Sequence, residues 1–231
     1  MKQKFPKKTN FTWCFRLKNL ILKLFKFLYK SLYHSFAFAY NRIALLVSAG
    51  EWFDWVKQTL QFVDERSIVL EIGFGTGILF EDISKLGNKI FGIDESQNMI
   101  DITKKRIIGI DDIPKIVRGN AKNLPYSHKS FDLIIATFPS EFVFDLSFLA
   151  EIERVLTNGG LFVSLLGVSF NKSTFLDLFY KSLNYISRQK MGIDNFKKYF
   201  KNSDKFEKIK FDLISEEYNK RLLYFLTIKK L

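Results

Sequence analysis

Three glycines at alternate positions follow a short apolar run and open a segment with a helical pattern. The run is Ile68 to Ile72, and the glycines are Gly73, Gly75 and Gly77. Its length and its β-branched residues predict a strand that is buried on both faces. Because glycine has no Cβ, the backbone beyond this strand can approach a ligand closely. The spacing predicts a ligand-binding loop, although a plain tight turn can have the same composition.

The residue after the last glycine distinguishes two kinds of nucleotide site. A dinucleotide fingerprint requires glycine or alanine at position 78, where this chain has Ile78. The stretch E-x-G-x-G-x-G, which begins at Glu71, instead resembles the first motif of class I S-adenosylmethionine (SAM) methyltransferases. This resemblance implies that SAM is the cofactor and that Glu71 and the three glycines belong to its binding site.

An acidic residue follows the next predicted strand. Lys89 to Ile93 reads as that strand, and Asp94 comes 19 residues after Gly75. An acid at this strand tip can accept hydrogen bonds from both ribose hydroxyls of a nucleoside. The alternative is that Asp94 caps the helix predicted from Ser96 onward.

Two later segments also resemble this family. Residues 119–126 resemble its G-D-A-x-x-L-P-F segment, with Asn120 in place of aspartate. The resemblance implies that Asn120 meets the adenine amino group, and an amide oxygen can still accept a hydrogen bond from that group. It also implies that Ala121 contacts the adenine ring. Residues 156–163 resemble its turn into a fifth strand, with Asn158 in place of proline.

The end of the fourth predicted strand, Phe131 to Ala136, is the expected reaction centre. In the family this tip faces the transferred methyl group, which brings Thr137 to the cofactor. Glu141 is a candidate catalytic base or a partner for a substrate cation; alternatively, it caps the following helix. The N-P-P-Y/F and D-P-P-Y/F signatures of amino-group methylation on nucleobases are absent.

The segment before the glycine loop resembles the entry region of type 11 methyltransferases, the small-molecule enzymes of quinone biosynthesis. The matching residues are Phe36, Tyr40, Ser48, Gly50, and Trp55 or Trp52. The resemblance implies that this segment covers the cofactor, with Tyr40 among its contacts, and shapes the substrate pocket. Alternatively, it is an aromatic helix packed against the sheet.

Charge separates the chain into two parts. The formal net charge is +12, yet residues 1–50 hold ten Lys or Arg and no acid, so the remainder is close to neutral. Residues 11–33 carry polar, mostly cationic residues every three or four positions, which predicts one cationic stripe along a helix. Such a helix can lie in a membrane interface or pack on the main domain. The longest uncharged stretch of this arm, Ser31 to Asn41, is too short to cross a bilayer.

The domain prediction follows this division: a basic amphipathic arm over residues 1–35 and a methyltransferase domain over residues 36–231. The family has an α/β, Rossmann-like sheet of seven strands in the order 3-2-1-4-5-7-6. Alternation over Phe206–Ile214 and Leu222–Ile228 predicts the final antiparallel hairpin. Helices are predicted over 172–188 and 195–200.

The predicted function is SAM-dependent methylation of a small, lipophilic or membrane-associated acceptor such as a quinol precursor or a phospholipid headgroup. Two alternatives remain open: a nucleic-acid methyltransferase and a SAM-binding module without catalysis. A single cysteine, Cys14, excludes an internal disulfide, and no residues have zinc-ligand spacing, so no metal is expected. We expect a cytoplasmic protein with peripheral contact on the inner face of the membrane.

Overall fold

The computed structural model of the chain describes residues 45, 48, 50–110, 115–170 and 208–231. The predicted arm over 1–35, the candidate contact Tyr40 and the predicted helices over 172–188 and 195–200 lie outside these residues. Within the described part, no helix combines the length and the apolar character needed to cross a membrane.

A seven-stranded sheet organises the described residues, and its strand order is β3-β2-β1-β4-β5-β7-β6, which confirms the predicted fold class. All neighbouring strands pair in parallel except β7, which is antiparallel to both β5 and β6. The strands are β1 (Ile68–Ile72), β2 (Lys89–Asp94), β3 (Lys115–Arg118), β4 (Phe131–Thr137), β5 (Leu156–Phe170), β6 (Ile209–Tyr218) and β7 (Arg221–Lys230).

Helices cover both faces of this sheet, because the central strands are apolar on both sides. The described helices are α1 (Trp52–Lys57), α2 (Ile78–Lys85), α3 (Gln97–Arg106) and α4 (Leu146–Val155), with 3-10 turns at Gln58–Phe62 and Glu141–Phe144. Residues of α1, α2 and α3 form one hydrophobic cluster around Trp55, Phe80 and Ile100. Residues of α4 form a second cluster, around Phe148 and Ile152.

Two local features differ from the predictions. Glu141 does not cap α4; the N-cap is Asp145, whose carboxylate accepts a hydrogen bond from the Ser147 N–H over 2.9 Å. Strand β5 begins at Leu156, the first residue of the predicted turn, so the turn residues lie within the strand. The pairing with β4 moves from Phe131↔Leu156 to Leu133↔Leu161, so residues 157–160 form an irregularity within the strand.

Candidate active site

The carboxyl ends of the central parallel strands converge at one edge of the sheet. Backbone bonds connect their tips: the Gly73 N–H donates to the Ile93 carbonyl over 2.8 Å, and the Gly119 N–H donates to the Asp94 carbonyl over 3.1 Å. In open parallel sheets, ligands bind beyond this edge where the strand order reverses. Here that point lies between β1 and β4.

The three glycines of the loop face different surroundings. At Gly73 and Gly75 a Cβ would meet no atom within 4 Å, so the backbone there is accessible to a ligand. At Gly77 a Cβ would lie 2.4 Å from Cγ2 of Thr103. Gly77 therefore allows α3 to pack closely on the loop, and the Thr103 hydroxyl donates to the Gly75 carbonyl over 3.0 Å.

Asp94 is buried, with 2% of its surface exposed, and its carboxylate is held by two backbone amides. Its Oδ2 accepts from the Gly75 N–H over 3.1 Å, and its Oδ1 accepts from the Ser96 N–H over 2.8 Å. The N-cap of α3 is Ser96, whose side chain accepts from the Met99 N–H, so the alternative interpretation of Asp94 as the cap is wrong. A carboxylate oxygen can accept more than one hydrogen bond.

Asn120 and Ala121 follow the tip of β3. Asn120 lines a depression of about 330 Å³ together with Glu95, Arg118 and Gly119, next to the Asp94 strand tip. Its Oδ1 accepts from the Lys122 N–H over 2.8 Å, and an amide oxygen has a second lone pair for a ligand donor. Ala121, the next residue, is buried.

The loop that carries these residues is anchored from α4. Oε2 of Glu151 accepts from the Leu124 N–H over 2.6 Å, and the Arg154 guanidinium donates to the carbonyls of Leu124 and Tyr126. Glu151 and Arg154 also bind each other, over 2.7 Å. Hydrogen bonding to Arg154 lowers the pKa of the Glu151 carboxyl, which keeps the anchor charged.

Glu71 is a carboxyl group enclosed within the centre of the sheet. It lies on β1 with 2% of its surface exposed, and its Oε2 has no hydrogen-bond partner among the described residues. Burial, and after it the negative charges of Asp94 and Asp82, raise the pKa of Glu71 well above its ordinary value. A buried carboxyl in this state favours either a proton or a cationic neighbour.

The tip of β4 carries the other predicted residues. Thr137 is half-buried at the end of the strand, and Glu141 begins the 3-10 turn four residues later. Beside Thr137, the Phe138 ring stacks on Trp52, with ring centroids 4.1 Å apart. Of the two tryptophans matched by sequence, Trp55 is core, with 1% exposed, whereas Trp52 is half-buried at this edge.

Sequence reasoning missed Phe138 and Thr103 as parts of the site. No sequence pattern indicates that Thr103 meets the glycine loop, because the contact depends on how α3 packs. For Phe138, the available signal was its position directly after the fourth strand, where the family resemblance puts the reaction centre.

These residues fit SAM. Accessible backbone at Gly73 and Gly75, a buried carboxylate at the second strand tip, and a depression lined by Asn120 provide contacts for a methionine, a ribose and an adenine in that order along the edge. The Glu71 carboxyl lies beneath the loop, where burial raises its pKa and favours the protonated form.

The strand order and this site define the class I SAM-dependent methyltransferase fold. Residues 70–164 match the family model described as a methyltransferase domain. Solved structures agree on the fold: a SAM-dependent methyltransferase from Thermotoga maritima has a TM-score of 0.55 at 21% identity, covering 85% of this chain and 98% of that one. Geranyl diphosphate C-methyltransferase from Streptomyces coelicolor, solved with S-adenosyl-L-homocysteine, has a TM-score of 0.55 at 11% identity, covering 80% and 82%.

Residues 70–164 thus resemble a methyltransferase domain, and the described residues have the fold of SAM-dependent methyltransferases. Among curated proteins the chain is similar to the demethylmenaquinone methyltransferase of Staphylococcus epidermidis, at 32% identity over 133 residues. The match covers 54% of this chain and 54% of that protein, so the chain spans about half the length of this relative.

Proposed function

We propose that the chain transfers the methyl group of SAM to a small lipophilic acceptor of the quinol type. The main support for SAM as the methyl donor is the hydrogen bond from the Gly75 amide to the Asp94 carboxylate. This bond connects the two strand tips that would bind the nucleoside part of SAM together. The accessible backbone at Gly73 and Gly75 supports the same interpretation.

The chemistry requires positioning more than proton transfer. When bound, SAM supplies an electrophilic methyl group on a sulfonium. The residues at the β1 and β4 tips have to hold an acceptor atom in line with that methyl group. Well-oriented reactants can gain about 7–11 kcal/mol in this way, so catalysis needs no triad.

Glu141 is the proposed base, or the partner of a cationic group on the acceptor. Its support is its place in the chain, since it begins the 3-10 turn directly beyond the β4 tip. If it acts as a base, Glu141→Gln should lower kcat and abolish the acidic limb of the pH–rate profile. An unchanged profile would remove Glu141 from the mechanism.

Two observations support a quinol-type acceptor. The curated relative is a demethylmenaquinone methyltransferase by name, and the β4 tip of this chain presents an aromatic pair, Trp52 and Phe138. The pair offers an apolar surface to the acceptor side of the site, which suits a ring better than a hydrated headgroup.

Peripheral membrane contact through residues 11–33 belongs to this proposal, because a lipophilic acceptor resides in a bilayer. The cationic stripe of that segment supports it. Flotation with anionic phospholipid vesicles should retain the full chain and lose a chain that begins at Ser35. Equal flotation of the two would remove the arm from the proposal.

The enzymatic test is transfer of a labelled methyl group from SAM to demethylmenaquinol in detergent micelles. We expect product with the native chain and none with Asp94→Ala. Binding of SAM without transfer to this acceptor or to a native lipid extract would favour a non-catalytic module. Transfer to RNA alone would favour a nucleic-acid enzyme.

A further inference from the structure

Trp52 and Phe138 form a stacked pair at the carboxyl edge of the sheet. Their ring centroids are 4.1 Å apart and their planes differ by 24°, and both residues are half-buried. Trp52 is the first residue of α1, and Phe138 is the first residue beyond β4. The pair therefore connects α1, which precedes the glycine loop in sequence, with the tip of β4, which is next to β1 in the sheet.

The pair is close to the expected position of the methyl group. In the β1–β4 pairing Glu71 lies opposite Ile135, one residue before the end of β1 and two before the end of β4, so the two strand tips are neighbours. Neighbouring strands are about 4.8 Å apart. Phe138 consequently lies just beyond the tip of β4, the strand next to the one that leads into the accessible glycines.

Phe138 has a backbone conformation that is unfavourable for a bulky side chain. Its φ is +47°, in the left-handed region, and its N–H donates to the Leu165 carbonyl over 2.8 Å. Aromatic residues seldom adopt this conformation unless the surroundings impose it, and such strain is concentrated at functional sites. The conformation turns the chain at the strand tip, where the Phe138 ring meets Trp52.

Polar contacts fix the turn that carries Trp52. Ser48 is fully buried, and its Oγ accepts from the Trp52 N–H over 2.9 Å. The next residue back, Glu51, binds Nε of Arg221 at the start of β7 over 3.0 Å. These contacts hold the first turn of α1 against the sheet edge, so the indole position is set by the fold.

We propose that Trp52 and Phe138 are the acceptor platform of the enzyme and that they select acceptors with a flat aromatic ring. The ring of the acceptor stacks on this pair, which orients its nucleophilic atom toward the cofactor. The inference rests on the proposed function, since a platform at this tip needs a methyl donor beside it. Both residues are positioning residues for the acceptor and take no part in binding SAM.

The test measures acceptor binding apart from cofactor binding, by isothermal titration of the full chain saturated with S-adenosylhomocysteine. The probes are 2-methyl-1,4-naphthoquinone, which is flat and aromatic, geraniol, which is apolar without a ring, and choline, a cation that could also sit on an aromatic face. The native chain should bind the naphthoquinone and neither of the others measurably.

Four variants discriminate the platform from general packing. Trp52→Leu should weaken naphthoquinone binding about tenfold, and Trp52→Phe should restore it to within about threefold of the native value. Phe138→Asn removes the other ring but tolerates the left-handed backbone, and should cause the same loss as Trp52→Leu. The matched control is Phe62→Leu, a partly buried aromatic that packs edge-on to Phe225, and it should change nothing.

Affinity for S-adenosylhomocysteine should be the same in all these chains, which also reports that each variant is folded. The platform is overturned if the Trp52→Leu and Phe62→Leu chains bind the naphthoquinone equally, if geraniol binds as tightly, or if choline binds in its place. Failure of the native chain to bind S-adenosylhomocysteine would instead overturn the proposed function, and the platform with it.

Discussion

Oδ2 of Asp94 accepts a hydrogen bond from the backbone N–H of Gly75 over 3.1 Å, across a separation of 19 residues. Its other oxygen accepts from the Ser96 N–H, so the carboxylate connects the glycine loop to the start of α3. A carboxylate held between two amides cannot rotate away from the loop. If the ribose of SAM binds here, as we propose, it meets a carboxylate that is already oriented by these two amides.

Removal of this carboxylate should weaken cofactor binding strongly. Hydrogen bonds to charged groups contribute about 1.5–3 kcal/mol each, and two ribose hydroxyls share Asp94. We expect Asp94→Ala to raise the Kd for SAM at least about 100-fold in isothermal titration.

The matched control is Asp132→Ala at the opposite end of the strands, because that carboxylate also accepts a backbone bond, from the Ile68 N–H over 3.0 Å. Asp132→Ala removes this acceptor, and should lower stability and leave the Kd unchanged. Equal effects of the two substitutions on SAM affinity would contradict the assigned role of Asp94.

Alanine substitutions at Gly77 and Gly75 should have different effects: the first should mainly lower stability, and the second should mainly weaken SAM binding. Gly77→Ala places a Cβ 2.4 Å from Thr103 in a left-handed backbone, and should lower the free energy of unfolding by about 2–4 kcal/mol. Gly75→Ala meets no neighbour, so only the backbone strain of about 1–2 kcal/mol applies. Its Cβ would nevertheless occupy the space open to the ligand. Urea denaturation and SAM titration of the two variants should give opposite rankings; identical rankings would argue against a ligand above Gly75.

Glu71 should make the stability of the chain depend on pH. Its pKa is raised in the folded state, mainly by burial, so the folded chain binds more protons than the unfolded chain once the pH exceeds about 4.5. Stability should then fall as the pH rises through the interval between the unfolded and folded pKa values. Glu71→Gln keeps the shape without the charge and should be the more stable chain at high pH, with a smaller difference at pH 4. A pH-independent difference in urea midpoints would show that Glu71 does not titrate in this way.

The buried Lys230 should stabilise the fold more than the exposed Lys229 does. It is 7% exposed, and its Nζ donates to the carbonyls of Glu153 and Leu156, at 2.5 and 2.8 Å, around the end of α4. Lys230→Met leaves these carbonyls without their donor and should cost about 1–3 kcal/mol. Lys229 is exposed, so Lys229→Met should change stability by less than about 0.5 kcal/mol. Equal thermal shifts for the two variants would contradict this assignment.

The sequence predicted the framework well for physical reasons. Strands β1, β2 and β4 are short apolar runs that end at glycine or a polar residue. Central parallel strands are buried on both faces, so their sequences are apolar almost throughout. The helix predicted from Ser96 onward is present, and the Ser96 side chain caps it. The strand order followed from the family resemblance, not from the runs themselves.

The remaining features depend on tertiary packing. Nothing local in sequence indicates that Phe138 adopts a positive φ, because phenylalanine resists that conformation. The Glu51–Arg221 ion pair connects residues 170 positions apart, and no alternation or spacing reports such a contact. Glu141 was the cap candidate, but the chain enters α4 only after a 3-10 turn that begins at Glu141, and Asp145 is the N-cap.

The most direct measurement is a crystal structure of the full chain with S-adenosylhomocysteine. The account predicts electron density for the ligand beside Gly73 and Gly75, with its ribose hydroxyls on the Asp94 carboxylate and its adenine near Asn120. Density at any other surface, or none at millimolar ligand, would contradict it.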